Sequence, residues 1–519
     1  MRSDQPRMTE RDAPAPPRAQ TTHGLDSLLR AFAPLREAFD HRRKKPRAKA
    51  QWREDVEARS GSRASARARA RLPASLSLAL LVTLVTPAEL SAQQNGNSPA
   101  STSARTASAS GKTAAELYGE AAGYVRRRYE QLAREGFRYE PNLAARVEEE
   151  LRAIAARGAA ELRSRGQLSP SDKFHLGRLL SLAARSDEAV AVMREFLSAH
   201  STDATAEQAR AARFVVAFEL ARKNALDEAE AALADYLAAT ADAHAHDERY
   251  RLEIELARAA RARMQLARAA GHARAALDAA GRLNSSAALD AASRDEIFYR
   301  SAQALSDALV ELKKTDEAIA ALQHLRRLAV SFPSADLYRR ASLLLGRIVP
   351  AVGLMTAADD PLLREAPEIE VADWIDQRPT TLKAERGRVV LLDFWATWCA
   401  PCLSALPHMR EWQRRFKDRG LTVVAFTQYE TTEGGRIVKT KREHDALKNF
   451  RRARRLPFGF AVADSAATHA RYNVTTIPAA VLIDRRGRVR YLNVGSNDDD
   501  LKELEQMIER LLDEPAGDR

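Results

Sequence analysis

The chain of 519 residues predicts two folded parts in series: an all-α array of helical repeats, then an α/β domain whose central sheet is flanked by helices. Three observations predict this. Residues 113–355 are rich in Ala, Leu, Arg and Glu, with helical periodicity and few breakers. A motif built on Asp-Glu-Ala recurs within them. Beyond residue 363, apolar runs of strand length alternate with amphipathic helical stretches, and both cysteines of the chain fall at one strand-to-helix junction.

In chain order, residues 1–71 come first. They carry Pro-rich and Arg/Ala-rich tracts, including Arg42-Arg-Lys-Lys45 and Arg67-Ala-Arg-Ala-Arg71, and read as a basic, disordered segment. Leu25, Leu28, Leu29, Phe32 and Phe39 are spaced for a short surface helix within it. This segment holds 18 Lys/Arg against 9 Asp/Glu, so +9 of the net charge of +12 lies here. The folded remainder is nearly balanced, and no nucleic-acid partner is expected.

Residues 72–92 combine preceding arginines, an apolar core from Leu76 to Val85 and small residues at Leu90-Ser-Ala92. That is the build of a secretory signal peptide. The uncharged window of 17 residues, Leu72–Ala88, is short for a spanning helix but leaves an uncleaved membrane anchor, and so a membrane tether, as the alternative. A third reading is a buried soluble helix. A signal does not normally begin 70 residues into a chain, so a translation start later than Met1 is expected, with Val56 as a candidate. Either way the body is expected outside the cytoplasm, in the periplasm or its equivalent. Residues 93–112 are a Ser/Ala/Gly-rich flexible linker.

The repeat in 113–355 reads Asp187-Glu-Ala-Val-Ala-Val-Met, Asp227-Glu-Ala-Glu-Ala-Ala-Leu and Asp316-Glu-Ala-Ile-Ala-Ala-Leu, with a weaker copy at Gly271-His-Ala-Arg-Ala-Ala-Leu277. Each copy follows another helical stretch. The pattern resembles tetratricopeptide-type helical hairpins, although its period exceeds the usual length. Such arrays bury a shared core by stacking and offer a face to a protein partner. His244, His246 and Asp247 are expected in an inter-repeat loop without a metal, since nothing supplies a closed ligand shell.

In the α/β domain, short strands are expected at Ile369–Ile375 and Thr380–Leu382, then a buried strand at Val389–Phe394. The chain breaks at Trp398-Cys399 into a helix with Pro401 in its first turn, where a missing N–H costs nothing. Cys399 therefore sits at the positive end of a helix, which favours thiolate over thiol. Cys402, one turn along, is placed to displace whatever Cys399 attaches to. No other cysteine exists, so the pair is free to cycle, and structural zinc lacks a second pair of ligands. The helix continues through Leu403, Leu406, Met409, Trp412 and Phe416, with Pro407 inside it and Gly420 as a candidate cap. A strand follows at Leu421–Phe426, then a basic helix at about His444–Arg455. A strand pair at Ala479–Ile483 and Arg488–Leu492 flanks a turn at Asp484–Gly487, and Leu501–Leu512 closes the domain.

The wording Phe394-Trp-Ala-Thr-Trp-Cys-Ala-Pro-Cys402, with Thr476-Ile477-Pro478 ahead of the late strand pair, resembles the thioredoxin superfamily, in particular its TlpA/ResA-like branch of thiol–disulfide oxidoreductases. The resemblance covers residues 363–514. It implies a thioredoxin-like domain with a central mixed β-sheet, and an enzyme that exchanges disulfides with client proteins. Cys399 would attack and Cys402 resolve. Trp398, Ala400, Pro401, Ile477 and Pro478 would bind the client, with Pro478 in the cis form facing the cysteines. No cofactor is implied beyond the redox-active Cys399–Cys402 disulfide, and no metal. A membrane or periplasmic electron donor would recharge the pair, and clients of the branch include apocytochromes c.

Asp393, six residues before Cys399, matches the buried acid of thioredoxin, where the branch more often has Asn. Burial would raise its pKa and let it take the Cys402 proton; a hydrogen-bonded structural Asp is the other reading. Ala405 stands where ResA-type reductases carry Glu. His408 is expected on the surface. The leading function is thus an exported oxidoreductase whose repeats select a client or redox partner. The alternative is a repeat scaffold or redox sensor in which the C-terminal domain does not turn over.

Overall fold

Short alanine-rich helices separated by three-residue turns build the first part of the protein. The computed structural model describes residues 111–135, 142–199, 205–240, 246–286, 289–349, 357–433 and 436–515. The expectations for residues 1–71, for the signal or anchor at 72–92, for most of the 93–112 linker and for His244 lie outside the described residues. Among the described residues no helix is long and apolar enough to cross a membrane.

Three helices, α1 (Ala114–Ala122), α2 (Tyr124–Arg134) and α3 (Leu143–Arg163), lead into four hairpins. The hairpins are α4 (Pro170–Leu182) with α5 (Ser186–Ser198), α6 (Ala206–Arg222) with α7 (Leu226–Ala239), α8 (His246–Ala262) with α9 (Leu266–Ser286), and α10 (Ala291–Glu311) with α11 (Thr315–Ser331). A last helix, α12 (Ala335–Leu345), follows.

Every hairpin turns the same way. Ala184, Asn224, Met264 and Lys313, the middle residues of the four turns, have φ of 59°, 59°, 57° and 64°. In each, two N–H groups reach back to helix carbonyls, as Ala184 N to Ser181 O and Arg185 N to Leu180 O do in the first. This is a Schellman cap built without glycine. Buried alanines such as Ala217, Ala221, Ala259 and Ala260 let the helices approach closely. The hairpins thus repeat, but two expectations shift. The third copy begins at Leu266, in register with Leu226, and not at Gly271; Ala267-Arg268 replaces the Asp-Glu signal there. His246 and Asp247 open helix α8 instead of lying in a loop.

The second part is a six-stranded sheet in the order β1-β6-β3-β2-β7-β8. Its strands are β1 (Asp373–Ile375), β2 (Val389–Phe394), β3 (Leu421–Gln428), β6 (Phe460–Ala463), β7 (Ala479–Ile483) and β8 (Val489–Val494). A separate two-stranded hairpin pairs β4 (Thr432–Glu433) with β5 (Arg436–Ile437). Strands β2, β3 and β6 run parallel, while β1, β7 and β8 pair antiparallel, so the sheet is mixed. Its helices are α13 (Ala400–Phe416), α14 (Lys441–Ala453), α15 (Ala467–Arg471) and α16 (Asp498–Asp513). This is the thioredoxin-like arrangement expected.

Alternation along the strands divides the core in two. Leu391, Val423, Ala425, Ala480 and Leu482 face Met409, Trp412 and Phe416 of α13 and Leu504 and Ile508 of α16. On the opposite face Val390, Leu392, Phe394, Phe426 and Val481 share one apolar cluster with Leu328, Leu337, Tyr338 and Ala341 of the helical array. The array thus supplies part of the second layer that the sheet requires.

Two strand expectations fail locally. Thr380 and Thr381 are unpaired and lead into a turn that starts at Leu382, where the Glu368 carboxylate accepts the N–H groups of Leu382 (2.8 Å) and Lys383 (3.3 Å) and the Thr381 hydroxyl accepts that of Ala384. Of Ile369–Ile375, only Asp373–Ile375 pairs, antiparallel to β6 at the sheet edge. Helix α13 is capped at Lys417, and Gly420 instead carries a φ of +101° in the turn into β3.

The shared core gives a first prediction. Leu337 is fully buried between the two parts. Leu337→Ala should cost about 2–5 kcal/mol in urea unfolding. Four of the five tryptophans lie in the C-terminal part, so fluorescence reports that part while far-UV dichroism reports the helices. Both signals should shift together.

Candidate active site

Strand β2 ends at Phe394 and the chain turns through Trp395–Trp398 before α13 starts at Ala400. Cys399 is the N-cap of that helix, and its sulfur accepts the N–H of Cys402 at 3.2 Å. A sulfur in this position receives one of the helix's free N–H groups along with the positive end of its dipole. Pro401 falls in the first turn, as expected. Cys399 and Cys402 are joined by a disulfide with Cα atoms 5.2 Å apart.

The two sulfurs differ in setting. Both residues are largely covered, Cys402 by the apolar cluster of α13 and the sheet. Cys399 lies at the rim beside Trp398, which is 54% exposed, and the exposed Ala400 and Pro401. A client would therefore meet Cys399 first, on an apolar surface.

The second half of the site arrives through sheet pairing. Ala479, the first residue of β7, is the register partner of Phe394, so Pro478 sits beside the loop that carries Cys399. The Ile477–Pro478 bond is cis. The Ile477 carbonyl oxygen is 3.8 Å from the Cys399 sulfur. Gly495 N donates to the Pro478 carbonyl at 3.2 Å, and the hydroxyls of Ser404 and Ser496 donate to the Pro401 carbonyl at 2.7 and 2.9 Å. Pro478 is buried, Ile477 half-buried and Thr476 exposed.

Asp393 lies between Leu391 and Trp395 in sequence and shares their face of the sheet, the face that α13 and the cysteines cover. It is 1% exposed, and its Oδ1 has no hydrogen-bond partner. Burial alone pushes its carboxyl up to about 8. The reading of Asp393 as a hydrogen-bonded structural acid thus finds no partner for that oxygen. On α13, His408 is exposed and Ala405 is buried. On the other face of the sheet half-buried His469 packs against Phe394 and Phe426, and desolvation holds its imidazole down at about 4. Among the described residues no cluster of three or more His, Cys, Asp or Glu is placed to hold a metal.

The structure thus brings Cys399, Trp398, Ala400, Pro401, Ile477 and Pro478 to one rim, with Cys402 and Asp393 on the covered side. Sequence reasoning missed Ser496, which donates to the Pro401 carbonyl. It also missed Asn473 and Thr475, which precede Ile477-Pro478 in the chain and whose partners lie more than a hundred residues away.

Known proteins resemble the C-terminal part of the chain. Residues 364–508 match the Redoxin family. Over 126 residues the chain is 32% identical to thiol-disulfide oxidoreductase ResA of Bacillus cereus, an alignment that covers 24% of this chain and 65% of that relative. The chain therefore spans just under two thirds of the length of ResA. It is 30% identical over 148 residues to thioredoxin-like protein YneN of Bacillus subtilis, covering 28% of this chain and 78% of YneN. It is 30% identical over 188 residues to protein DipZ of Mycobacterium tuberculosis, covering 34% of this chain and 25% of DipZ. A crystal structure of a DsbE-type thiol:disulfide interchange protein from Chlorobium tepidum aligns with 29% of this chain and 96% of its own, at 31% identity and a TM-score of 0.25. Through its C-terminal domain the chain belongs to the thioredoxin-like family.

Proposed function

We propose that the protein is an exported thiol–disulfide oxidoreductase that reduces disulfides of client proteins. The observation that carries this reading is the Cys399 sulfur, capped by the Cys402 N–H and set beside the Ile477 carbonyl at an apolar rim. In the reduced protein the Cys399 thiolate attacks one sulfur of a client disulfide. A mixed disulfide forms and one client thiolate leaves. Cys402 then attacks the Cys399 sulfur, the second client thiolate leaves, and the Cys399–Cys402 disulfide is restored. Two electrons pass to the client. Asp393 takes the Cys402 proton as that thiol becomes a nucleophile. No cofactor enters beyond the cysteine pair.

An external dithiol donor, in the membrane or the periplasm, must return the electrons, because an oxidising compartment supplies none. Placement outside the cytoplasm rests on the signal-like or anchor-like segment 72–92 and on the likeness to ResA. Apocytochromes c are the clients that this likeness suggests, and the helical array would select the client or the donor.

Insulin reduction by the full chain with dithiothreitol as donor tests the activity. Turbidity from released insulin chains is expected well above the dithiothreitol background. Background-level turbidity would favour the reading in which the repeats are a scaffold and the C-terminal domain does not turn over.

A further inference from the structure

The N-terminus of α12 is not turned to solvent. Its N-cap Ser334 accepts Leu337 N at 3.1 Å. Its next two free N–H groups, those of Ala335 and Asp336, donate to the carbonyls of Tyr472 (3.0 Å) and Asn473 (3.1 Å) in the C-terminal domain. The helix start is thus capped by the backbone of another domain.

Side chains extend the join. Asp336, 3% exposed, accepts the Thr475 hydroxyl at 2.9 Å while Arg339 donates to the same oxygen at 3.0 Å. Asp295, 1% exposed on α10, accepts from both the Asn473 amide and the Ser334 hydroxyl, and its other oxygen pairs with Arg294 at 2.9 Å. Asn473 is held at a φ of 41°, in the left-handed region that Asn tolerates better than most residues. From there the chain runs Val474-Thr475-Thr476 straight into Ile477-Pro478. Two buried carboxylates of the helical array therefore grip the chain four and two residues ahead of the carbonyl that borders Cys399.

We propose that Asp336 and Asp295 are positioning residues for the Ile477–Pro478 loop, so that the helical array sets the geometry with which the site receives an extended client. The inference rests on the oxidoreductase reading above. An extended peptide needs the loop backbone at a fixed distance from the sulfur to pair with it. A small disulfide needs only the sulfur. Loosening the grip should therefore cost the first substrate and spare the second. The grip buries two carboxyl groups where apolar packing would hold the domains together as well, which favours a role in orientation over one in adhesion alone.

The test uses the full chain, reduced, as wild type, Asp336→Ala, Thr475→Val and Thr475→Ser. Thr475→Val removes only the donor, keeps the side-chain shape and leaves α12 intact. Thr475→Ser restores the donor. Rates are measured with a disulfide-linked extended peptide and with 5,5′-dithiobis(2-nitrobenzoate). Asp336→Ala and Thr475→Val should slow the peptide reaction about tenfold, the worth of one hydrogen bond to a charged group, chiefly through KM. The aryl disulfide rate should stay at the wild-type value, and Thr475→Ser should recover the peptide rate. Equal losses on both substrates, or no loss on either by an active wild type, would overturn the positioning role. A wild type inert towards both disulfides would overturn the oxidoreductase reading and take this inference with it.

Discussion

Cys399→Ser is expected to abolish insulin reduction, and Cys402→Ser to abolish turnover while trapping the client. The asymmetry follows from the placement of the two sulfurs. Both are largely covered, at 4% and 2% exposure, but Cys399 caps α13 beside exposed Trp398 with the Ile477 carbonyl bordering its sulfur, whereas Cys402 lies one turn inside the helix. Serine at 399 leaves no nucleophile that a client can reach, and activity should fall to the uncatalysed background. Serine at 402 leaves the attack intact and removes the group that resolves the mixed disulfide. A covalent client adduct on Cys399 should then accumulate on a non-reducing gel and disappear with dithiothreitol. An adduct on Cys402 in the Cys399→Ser protein would reverse the assignment of roles.

Asp393→Asn is expected to have two effects of opposite benefit. The Asp393 carboxyl is pushed up to about 8 by burial, with one oxygen unpartnered. An acid whose folded pKa lies above its unfolded value of about 3.9 binds its proton more tightly in the native state. The stability this gives is fully present below pH 4 and is lost as pH rises through 8. The wild type should therefore lose on the order of 3–5 kcal/mol between pH 4 and 9, as read by urea unfolding. Asp393→Asn should flatten that slope and be the more stable protein at pH 9. It should also slow the resolving step by about tenfold or more, since a positioned proton acceptor is worth at least that. The wild-type rate should climb with pH as the carboxylate forms near 8, and the variant should lose that limb of the profile. A variant with unchanged stability slope and unchanged rate would show that Asp393 is a passive part of the core.

Much of this site is legible in the chain because it is local. An apolar run, a break, two cysteines one turn apart and a proline in the first helical turn fix Cys399, Cys402 and Pro401 within twelve residues. Pro478 is legible only through resemblance, because its approach depends on β7 pairing with β2 across about 80 residues of intervening chain. The alternation of strand β2 puts Asp393 on the cysteine side, but that its Oδ1 would lack a partner is a property of the neighbours. The edge strand at Thr380–Leu382 fails for a similar reason: Glu368 reaches in from outside the window and turns the backbone.

The repeats show the same division. The Asp-Glu-Ala motif marks three of the four second helices correctly, because it is an N-terminal charge signal. It misplaces the third, where the charge is gone and only the geometry of the Met264 turn preserves the period. Nothing in the sequence announces that α12 docks on Tyr472 and Asn473. The contacts are backbone groups and short polar side chains with no pattern of their own, and they make the array part of the second layer of the sheet.

The place of the Cys399 sulfur at the start of α13 should activate it as a thiolate. Alkylation of the reduced protein with iodoacetamide, followed by peptide mapping across pH 4 to 10, measures it directly. Cys399 should react first, with a midpoint below the roughly 8.5 of free cysteine, and Cys402 should stay unreactive in the folded protein. Both thiols reacting together with the midpoint of free cysteine would contradict it.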